Sequence, residues 1–240
     1  MSILLDVADV TAGYGNTTVL RGISLTLKEG KSIGLFGPNG HGKTTLLHTI
    51  SGLIRPSSGT IHYMQRDISG ESSANIVAKG LVHSPQGNTL FGDMGISETL
   101  ELAAFTPRAR TDKNLNLDYV YKLFPRLSER KKQLAKTLSG GERQMLSIGC
   151  AIMCSPKILM LDEPTLGLSP RLKKELGQAI SKISVNGISM IIVEQDVEFL
   201  LSLTQRLYMI EHGEVVREID RTDAPAHEEI MQLYFGGKQT

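Results

Sequence analysis

The sequence predicts an α/β fold around a largely parallel sheet, with an antiparallel β region before it and a helical insertion inside it. Short apolar runs typical of buried strands, with helical patterns between most of them, recur at residues 31–36, 80–84, 157–161 and 188–194. Residues 3–10 and 17–27 are two further apolar runs, and the glycine-containing turn at 12–16 favours an antiparallel pair. From about residue 88 to 155 the pattern is helical without a convincing strand, which indicates an insertion.

Within this insertion, helical periodicity is clearest at residues 97–105, 115–124 and 141–153. The stretch 107–114 is polar, begins with a proline and alternates in charge, so we expect a solvated loop there. Cys150 and Cys154 share one face of the last helix, but their spacing lacks the further ligands of a zinc site. We expect two small buried residues, without a structural metal or a disulfide.

Length and charge limit the classes of protein that need to be considered. At 240 residues the chain is long enough for one sizeable core with an insertion. The 26 Lys and Arg balance 25 Asp and Glu, which argues against holding nucleic acid or an anionic membrane by charge alone. There is no signal-peptide pattern and no run near the roughly 18 apolar residues of a spanning helix. The sequence predicts a soluble chain that reaches a membrane only through partners.

Residues 37–44 match the phosphate-binding pattern G-x-x-x-x-G-K-[ST], between an apolar strand pattern and a helical one. Glycines in such a loop let backbone N–H groups converge on phosphate oxygens, Lys43 reaches the β- and γ-phosphates, and the Thr44 hydroxyl can bind Mg²⁺. This strand, loop and helix order disfavours a chance glycine-rich turn. The predicted ligand is a nucleoside triphosphate, bound by Gly37, Pro38, Asn39, Gly40, His41, Gly42, Lys43 and Thr44. At a variable position of the pattern, His41 is interpreted as support for the loop backbone, without a catalytic role.

Two adjacent carboxylates, Asp162 and Glu163, follow the apolar run 157–161. Ligands of open α/β sheets bind at the carboxyl ends of the strands. Because successive strand side chains point in opposite directions, Asp162 can face Mg²⁺ while Glu163 faces an attacking water. The alternative is an acidic turn capping a strand, which the upstream phosphate loop disfavours.

A third motif, Ser139 followed by Gly140 and Gly141, stands at the start of a helical pattern. Serine is a good N-cap, and paired glycines expose backbone N–H groups where a helix can bind an anion. By itself this motif is explained slightly better as an ordinary helix cap. Its combination with the other two motifs indicates a phosphate-binding role.

The three motifs together resemble the ATP-binding cassette (ABC) ATPase family over essentially the whole chain. Residues 37–45 look like its phosphate loop, 158–163 like its second nucleotide motif and 138–144 like its signature, in the family's order and spacing. The resemblance implies the P-loop NTPase fold of ABC ATPases, with an antiparallel β subdomain and an inserted helical signature subdomain. The implied organisation is one domain over 1–240, divided into an α/β ATP-binding core at 1–87 and 156–240 and a helical subdomain at about 88–155.

The resemblance also implies roles for further residues in binding ATP and Mg²⁺, among them Thr45 at the end of the phosphate loop. Tyr14 lies where the family stacks an aromatic ring on adenine, although alone it is more typical of a surface turn. Gln86 lies in the loop that senses Mg²⁺ and the transmembrane subunit. Gln195 stands where most members carry a histidine that contacts the γ-phosphate, and a purely structural role for it stays open. The implied catalytic residues are Glu163, Gln195 and Lys43, and the implied Mg²⁺ ligands are Thr44, Gln86 and Asp162.

Family membership would make the chain one half of an ATPase pair. Two such domains sandwich two ATP molecules, so that Ser139, Gly140 and Gly141 face the nucleotide of the partner, and residues 166–170 cross the interface. The implied partners are a second ABC ATPase subunit, with a heterodimer favoured over a homodimer, two transmembrane permease subunits and, indirectly, an extracytoplasmic solute-binding protein. Nucleic acid is not among them. The implied location is peripheral, on the cytoplasmic face of the membrane.

Within the family, four segments are similar to the smaller ATPase subunit of branched-chain amino acid importers. They lie at residues 123–130, 144–149, 193–196 and 233–237. Urea and amide importers use closely related ATPases and remain an alternative, as does a soluble ABC ATPase that acts on macromolecules. A regulator that binds nucleotide without hydrolysing it is opposed by the intact Glu163.

Overall fold

The computed structural model describes residues 2–87 and 90–221, and the strands there form two sheets. The strands are β1 (Ile3–Tyr14), β2 (Thr17–Lys28), β3 (Ser32–Phe36), β4 (Ser58–Tyr63), β5 (Arg66–Asp67), β6 (Leu81–Ser84), β7 (Ile158–Asp162), β8 (Ser189–Val193), β9 (Arg206–Glu211) and β10 (Glu214–Asp220). The helices are α1 (Lys43–Ile50), α2 (Ser73–Ala78), α3 (Ile96–Ala103), α4 (Pro107–Thr111), α5 (Lys113–Leu123), α6 (Pro125–Glu129), α7 (Gly140–Met153), α8 (Pro170–Val185) and α9 (Val197–Leu203), with a 3₁₀ turn at Ala135–Thr137.

The larger sheet has the strand order β10-β9-β3-β8-β7-β6 and is parallel except for β10 at one edge. Every residue of β3, β7 and β8 is buried, as expected for parallel strands covered on both faces. The carboxyl ends of these three adjacent strands therefore meet at one edge of the sheet, where the candidate site lies. The strands predicted at 31–36, 80–84, 157–161 and 188–194 are confirmed to within a residue at each end.

The smaller sheet has the order β2-β1-β4-β5 and is antiparallel, which confirms the antiparallel pair predicted before the parallel sheet. Its predicted turn at 12–16 is too long. The ladder continues through Gly13, paired with Thr18, and Tyr14, paired with Thr17, so the turn itself is only two residues. Ladder hydrogen bonds between this segment and β2 outweigh its local turn preference.

Residues 107–114 were expected to form a loop, and this prediction is wrong. Pro107–Thr111 is helical, and α5 begins at Lys113. The Thr106 hydroxyl accepts a hydrogen bond from the Ala109 amide at 3.2 Å, proline occupies the first turn, and Ala109 is fully buried. A capped turn that buries one small apolar residue is enough to make this polar stretch helical.

The helices predicted at 97–105, 115–124 and 141–153 are confirmed as α3, α5 and α7. Their apolar side chains share one core with strand residues of the larger sheet, including Leu159 and Leu161. Cys154 is buried as expected, whereas Cys150 is only partly buried, and both thiols are free. Burial raises the pKa of the Cys150 thiol to about 12 and that of Cys154 to about 11.

Among the helices of the described residues, none is long and apolar enough to cross a membrane. The similarity noted at residues 233–237 lies outside the described part of the chain.

Candidate active site

The phosphate-binding pattern forms the connection from β3 to α1. Gly37 has a φ of 141°, and a Cβ there would lie 2.1 Å from the carbonyl oxygen of Ile210, so this position requires glycine. Gly42 is the N-cap of α1 and provides no side-chain cap for the helix. The first amides of α1 therefore keep their hydrogen-bonding capacity for an anion at the helix N-terminus.

The Lys43 ammonium lies within this loop and is only 5 % exposed. Its Nζ donates to the carbonyl oxygens of Gly37 at 2.8 Å and Pro38 at 2.9 Å. Burial lowers the pKa of Lys43, while the carboxylates of Glu163 and Asp162 act in the opposite direction. An ammonium has three donors, so one remains for a phosphate oxygen.

Lys43→Ala is expected to weaken ATP binding by roughly 10- to 100-fold, because a hydrogen bond to a charged group contributes about 1.5–3 kcal/mol. Equilibrium titration of the purified chain with a fluorescent ATP analogue would measure this change. Lys174→Ala, on the exposed surface of α8, is the matched control and should bind like the wild type. Unchanged affinity in Lys43→Ala would count against the phosphate-loop assignment.

His41 connects the phosphate loop to the turn between β9 and β10. Its Nδ1 accepts a hydrogen bond from the His212 amide at 3.1 Å, and its carbonyl oxygen accepts one from the Gly213 amide at 3.2 Å. The two imidazole rings lie 4.5 Å apart. These contacts favour the interpretation of His41 as support for the loop backbone. Of the other predicted loop residues, Asn39 and Gly40 are exposed, whereas Thr45 is buried in α1.

Asp162 ends β7 beside the phosphate loop and is 1 % exposed. Within residues 2–87 and 90–221, neither of its carboxylate oxygens has a hydrogen-bond partner. Burial raises the pKa of Asp162, and the charge of Glu163 raises it further. The nearby Thr44 hydroxyl lowers this pKa, although its geometry is not that of a hydrogen bond. A buried carboxylate that lacks partners beside a threonine hydroxyl is a donor set that fits Mg²⁺.

Glu163 follows β7 with its backbone in the left-handed region, at a φ of 45°. Its amide donates to the Val193 carbonyl oxygen at 3.0 Å, which ties it to the end of β8. Its Oε2 accepts a hydrogen bond from Gln86 Nε2 at 2.8 Å, and its Oε1 accepts one from Gln195 Nε2 at 3.1 Å. The structure thus brings three predicted site residues together, with both amides on the carboxylate.

Tyr14 lies at the end of β1 with about half of its side chain exposed. Its hydroxyl is 3.2 Å from Nδ1 of His48, on the helix that leads away from the phosphate loop. The His48 ring lies 5.6 Å from the ring of His83 on β6. Burial, aided by His48, lowers the pKa of His83 to about 4. The exposed Tyr14 ring is thus anchored near the nucleotide loop, where an adenine could stack on it.

Ser139 is the N-cap of α7 and forms a capping box with Glu142. The Ser139 hydroxyl accepts a hydrogen bond from the Glu142 amide at 3.3 Å, and the Glu142 carboxylate accepts one from the Ser139 amide at 3.0 Å. Burial acts to raise the pKa of Glu142, but the bonds from Ser139 and the charges of Arg130 and Arg126 lower it overall. Arg130 also forms an ion pair with Glu142 at 2.9 Å.

The two signature glycines differ in their surroundings. A Cβ on Gly140 would have nothing within 4 Å, whereas one on Gly141 would lie 2.7 Å from Leu172 Cδ1. Ser139 and Gly140 are exposed, and so is Leu166 in the loop predicted to cross the interface. The amide end of α7 is therefore open at Gly140 and packed against α8 at Gly141.

Three residues around the site were missed by the sequence reasoning. These are Glu194, His48 and Glu142. Glu194 carried a signal, since a carboxylate directly after an apolar strand is the pattern that identified Asp162. Burial raises the pKa of Glu194, while hydrogen bonds from Thr165 and Gln195 oppose this effect. Glu142 carried a signal too, because Ser139 and Glu142 match the S-x-x-E pattern of a capping box. His48 carried no comparable signal, because its contacts with Tyr14 and His83 depend on the fold.

A family model described as ABC transporter matches residues 20–166, more than half of the chain. The chain belongs to the ABC transporter family. This ABC protein is 36% identical to the high-affinity branched-chain amino acid transport ATP-binding protein BraG of Pseudomonas aeruginosa, over 98% of the chain and 100% of BraG. It is 31% identical to a probable LivF of Archaeoglobus fulgidus, over 97% of the chain and 99% of that protein.

Solved structures of ABC cassettes confirm the predicted fold. An ATP-binding cassette of an ABC transporter in its ADP conformation has a TM-score of 0.83 at 23% identity and covers 98% of this chain and 100% of its own. A dimeric cassette bound to ADP and Pi has a TM-score of 0.76 at 23% identity, over 90% of this chain and 98% of its own. Family and fold together identify this protein as an ABC ATPase that binds ATP, as predicted.

Proposed function

We propose that this chain is the ATP-hydrolysing subunit of an importer for branched-chain or other small amino acids. The observation that carries the proposal is the 36% identity to BraG over nearly all of both chains. The probable LivF relative supports the same class of solute. The site supports hydrolysis as the chemistry, because Glu163 is placed at the sheet edge that the phosphate loop also reaches.

In the proposed mechanism, the loop amides and Lys43 bind the phosphates of ATP, and the Tyr14 ring stacks on adenine. Asp162 and Thr44 would hold Mg²⁺, which when bound neutralises negative charge on the β- and γ-phosphates. Glu163 accepts a proton from the attacking water, while the two amides on its carboxylate fix its orientation. Each of these amides has a second N–H, which remains for the water or a phosphate oxygen.

The proposed assembly has two ATPase subunits, two transmembrane permeases and, indirectly, an extracytoplasmic solute-binding protein. A heterodimer is favoured and a homodimer is the alternative. The exposed amide end of α7 at Ser139 and Gly140 supports a signature that acts on the nucleotide of the partner. The chain would lie on the cytoplasmic face of the membrane, and its helical segment at about 88–155 would be the signature subdomain.

An exposed apolar patch beside Gln86 supports contact with a permease. Phe91, Leu102 and Phe105 are each more than half exposed and line a single cavity together with Pro85. Exposed apolar patches of this kind mark protein interaction sites. We propose that the transmembrane subunit binds here and reaches the Glu163 carboxylate through the Gln86 loop.

The proposal can be tested with the membrane complex that co-purifies with this chain. Reconstituted in liposomes with its solute-binding protein, the complex should take up leucine, isoleucine or valine when ATP is supplied on the ATPase side. Uptake of urea without uptake of amino acids would favour the alternative importer. Recovery of the active chain in the soluble fraction, with no membrane partner, would contradict the importer assignment.

Gln195→Ala is expected to slow ATP hydrolysis by roughly 10- to 100-fold with little change in ATP affinity, since it removes a hydrogen bond of about 1.5–3 kcal/mol to a charged group. Gln195→His is the matched variant, because a neutral imidazole can still donate one hydrogen bond. It should keep most activity but lose rate below about pH 6.5, where a protonated ring would pair with the Glu163 carboxylate and weaken it as a base. Measuring the ATP hydrolysis rates of both variants from pH 5.5 to 8.5 would test these expectations. If Gln195→Ala is as fast as the wild type, Gln195 has only a structural role.

A further inference from the structure

Glu194 is a buried carboxylate that the proposed mechanism does not use. It directly follows β8 and is 4 % exposed. Its Oε1 accepts hydrogen bonds from the Thr165 amide at 2.8 Å and the Thr165 hydroxyl at 2.7 Å. Its Oε2 accepts a hydrogen bond from the amide of Gln195 at 3.3 Å. A buried carboxylate is costly unless it is hydrogen-bonded, and here both oxygens are.

These contacts connect the two strand ends that carry the reacting groups. Thr165 lies two residues after Glu163, and Gln195 is the neighbour of Glu194 itself. The same two segments are also joined by the Glu163 amide on Val193 and by the Gln195 side chain on the Glu163 carboxylate. Among these connections, the Glu194 side chain is the one that holds the backbone amides of both Thr165 and Gln195.

We propose that Glu194 is a positioning residue for ATP hydrolysis, which holds the Thr165 turn and the Gln195 backbone so that the Gln195 amide stays on Glu163. The proposal rests on the proposed roles of Glu163 and Gln195. In this proposal Glu194 itself contacts neither the substrate nor the reacting atoms. Its effect on catalysis passes through the contact between the Gln195 amide and Glu163, which the Thr165 turn and the Gln195 backbone hold in place.

The pattern of donors around Glu194 makes glutamine a sharp test. Among the described residues, the three hydrogen bonds to Glu194 all come from donors, so only a residue with acceptors on both sides satisfies them. In Glu194→Gln, a carbonyl oxygen can still serve Thr165, but the NH₂ group then meets the Gln195 amide, donor against donor. Glutamine should therefore keep the Thr165 contact and lose the one to Gln195.

The experiment is steady-state ATP hydrolysis by the full-length chain in its assembled complex. Glu194→Ala should lower kcat by roughly 10- to 100-fold, the scale expected when a catalytic group is misplaced by about 1 Å, with the KM for ATP within about twofold of wild type. The kcat of Glu194→Gln should fall between the values for the wild type and for Glu194→Ala. The double variant Glu194→Ala/Gln195→Ala should be no slower than the slower single variant, because both act through one contact.

Several results would overturn the proposal. One is a double variant in which the two single-variant losses of kcat multiply. Another is a Glu194→Ala variant whose kcat equals that of the wild type. If Glu194→Ala does not fold, Thr165→Val and Thr165→Ser provide the test. Valine lacks the hydroxyl that donates to Glu194 and should lower kcat several-fold, whereas serine keeps this hydroxyl and should have a kcat near that of the wild type. Equal kcat values for the valine and serine variants would contradict the proposal. Near-normal turnover in Glu163→Gln would refute the proposed role of Glu163 and this inference together. A slow Glu163→Gln with a normal Glu194→Ala would refute this inference alone.

Discussion

Glu163→Gln is expected to bind ATP normally and to lose about 10²- to 10⁴-fold in hydrolysis rate, the range typical of a general base. The substitution preserves size but removes the carboxylate that is proposed to accept a proton from water. It also places an amide between the donors Gln86 and Gln195, where the carboxylate now accepts from both. ATP should therefore be bound without turnover, and the closed pair of ATPase subunits should accumulate.

Phosphate release and size-exclusion chromatography with ATP would measure these two effects. Glu129→Gln, an exposed glutamate at the end of α6, is the control for loss of charge and should behave like the wild type. Near-normal turnover in Glu163→Gln, with the site of the partner subunit disabled, would refute the assigned role.

Gly140→Asp is expected to abolish transport while the isolated chain still binds ATP. The new side chain would lie in open space, so the fold has room for it. An acidic residue in the first turn favours the helix itself, and α7 should stay intact. The carboxylate would, however, repel the γ-phosphate that the amide end of α7 has to meet across the proposed dimer, which should prevent closure.

Gly140→Ala is the matched control, because it adds a Cβ without charge at the same open position. It should retain most transport activity. Uptake by the reconstituted complex and ATP titration of the isolated chain separate the two effects. Loss of ATP binding in the isolated Gly140→Asp chain would mean that the signature serves its own site or the fold.

The elements of the fold whose own residues form a clear apolar pattern could be predicted from the sequence. The buried strands β3, β7 and β8 are apolar along their whole length, so their pattern is unambiguous. The strand β9 was not predicted, because its burial is interrupted and charged residues stand at both ends. The helix α4 was not predicted either, since only the fold shows that Ala109 is buried.

The residues of the candidate site also divide into those that a local motif identifies and those that only the fold brings together. Lys43 and the pair Asp162 and Glu163 belong to contiguous motifs, so sequence alone identifies them. The amide of Gln86 reaches Glu163 across 77 residues of chain, and Thr165 reaches Glu194 across 29. Such contacts follow from the order of strands in the parallel sheet, which apolar periodicity does not specify.

The left-handed backbone conformation of Glu163 sets the stability of this protein against the activity proposed for it. A residue other than glycine in that region costs of order 1–3 kcal/mol, and the surrounding hydrogen bonds have to maintain it. A glycine at this position would release the strain and with it the proton acceptor. Selection for thermal stability alone would therefore favour glycine at this position, whereas the role proposed for Glu163 requires the side chain that brings the strain.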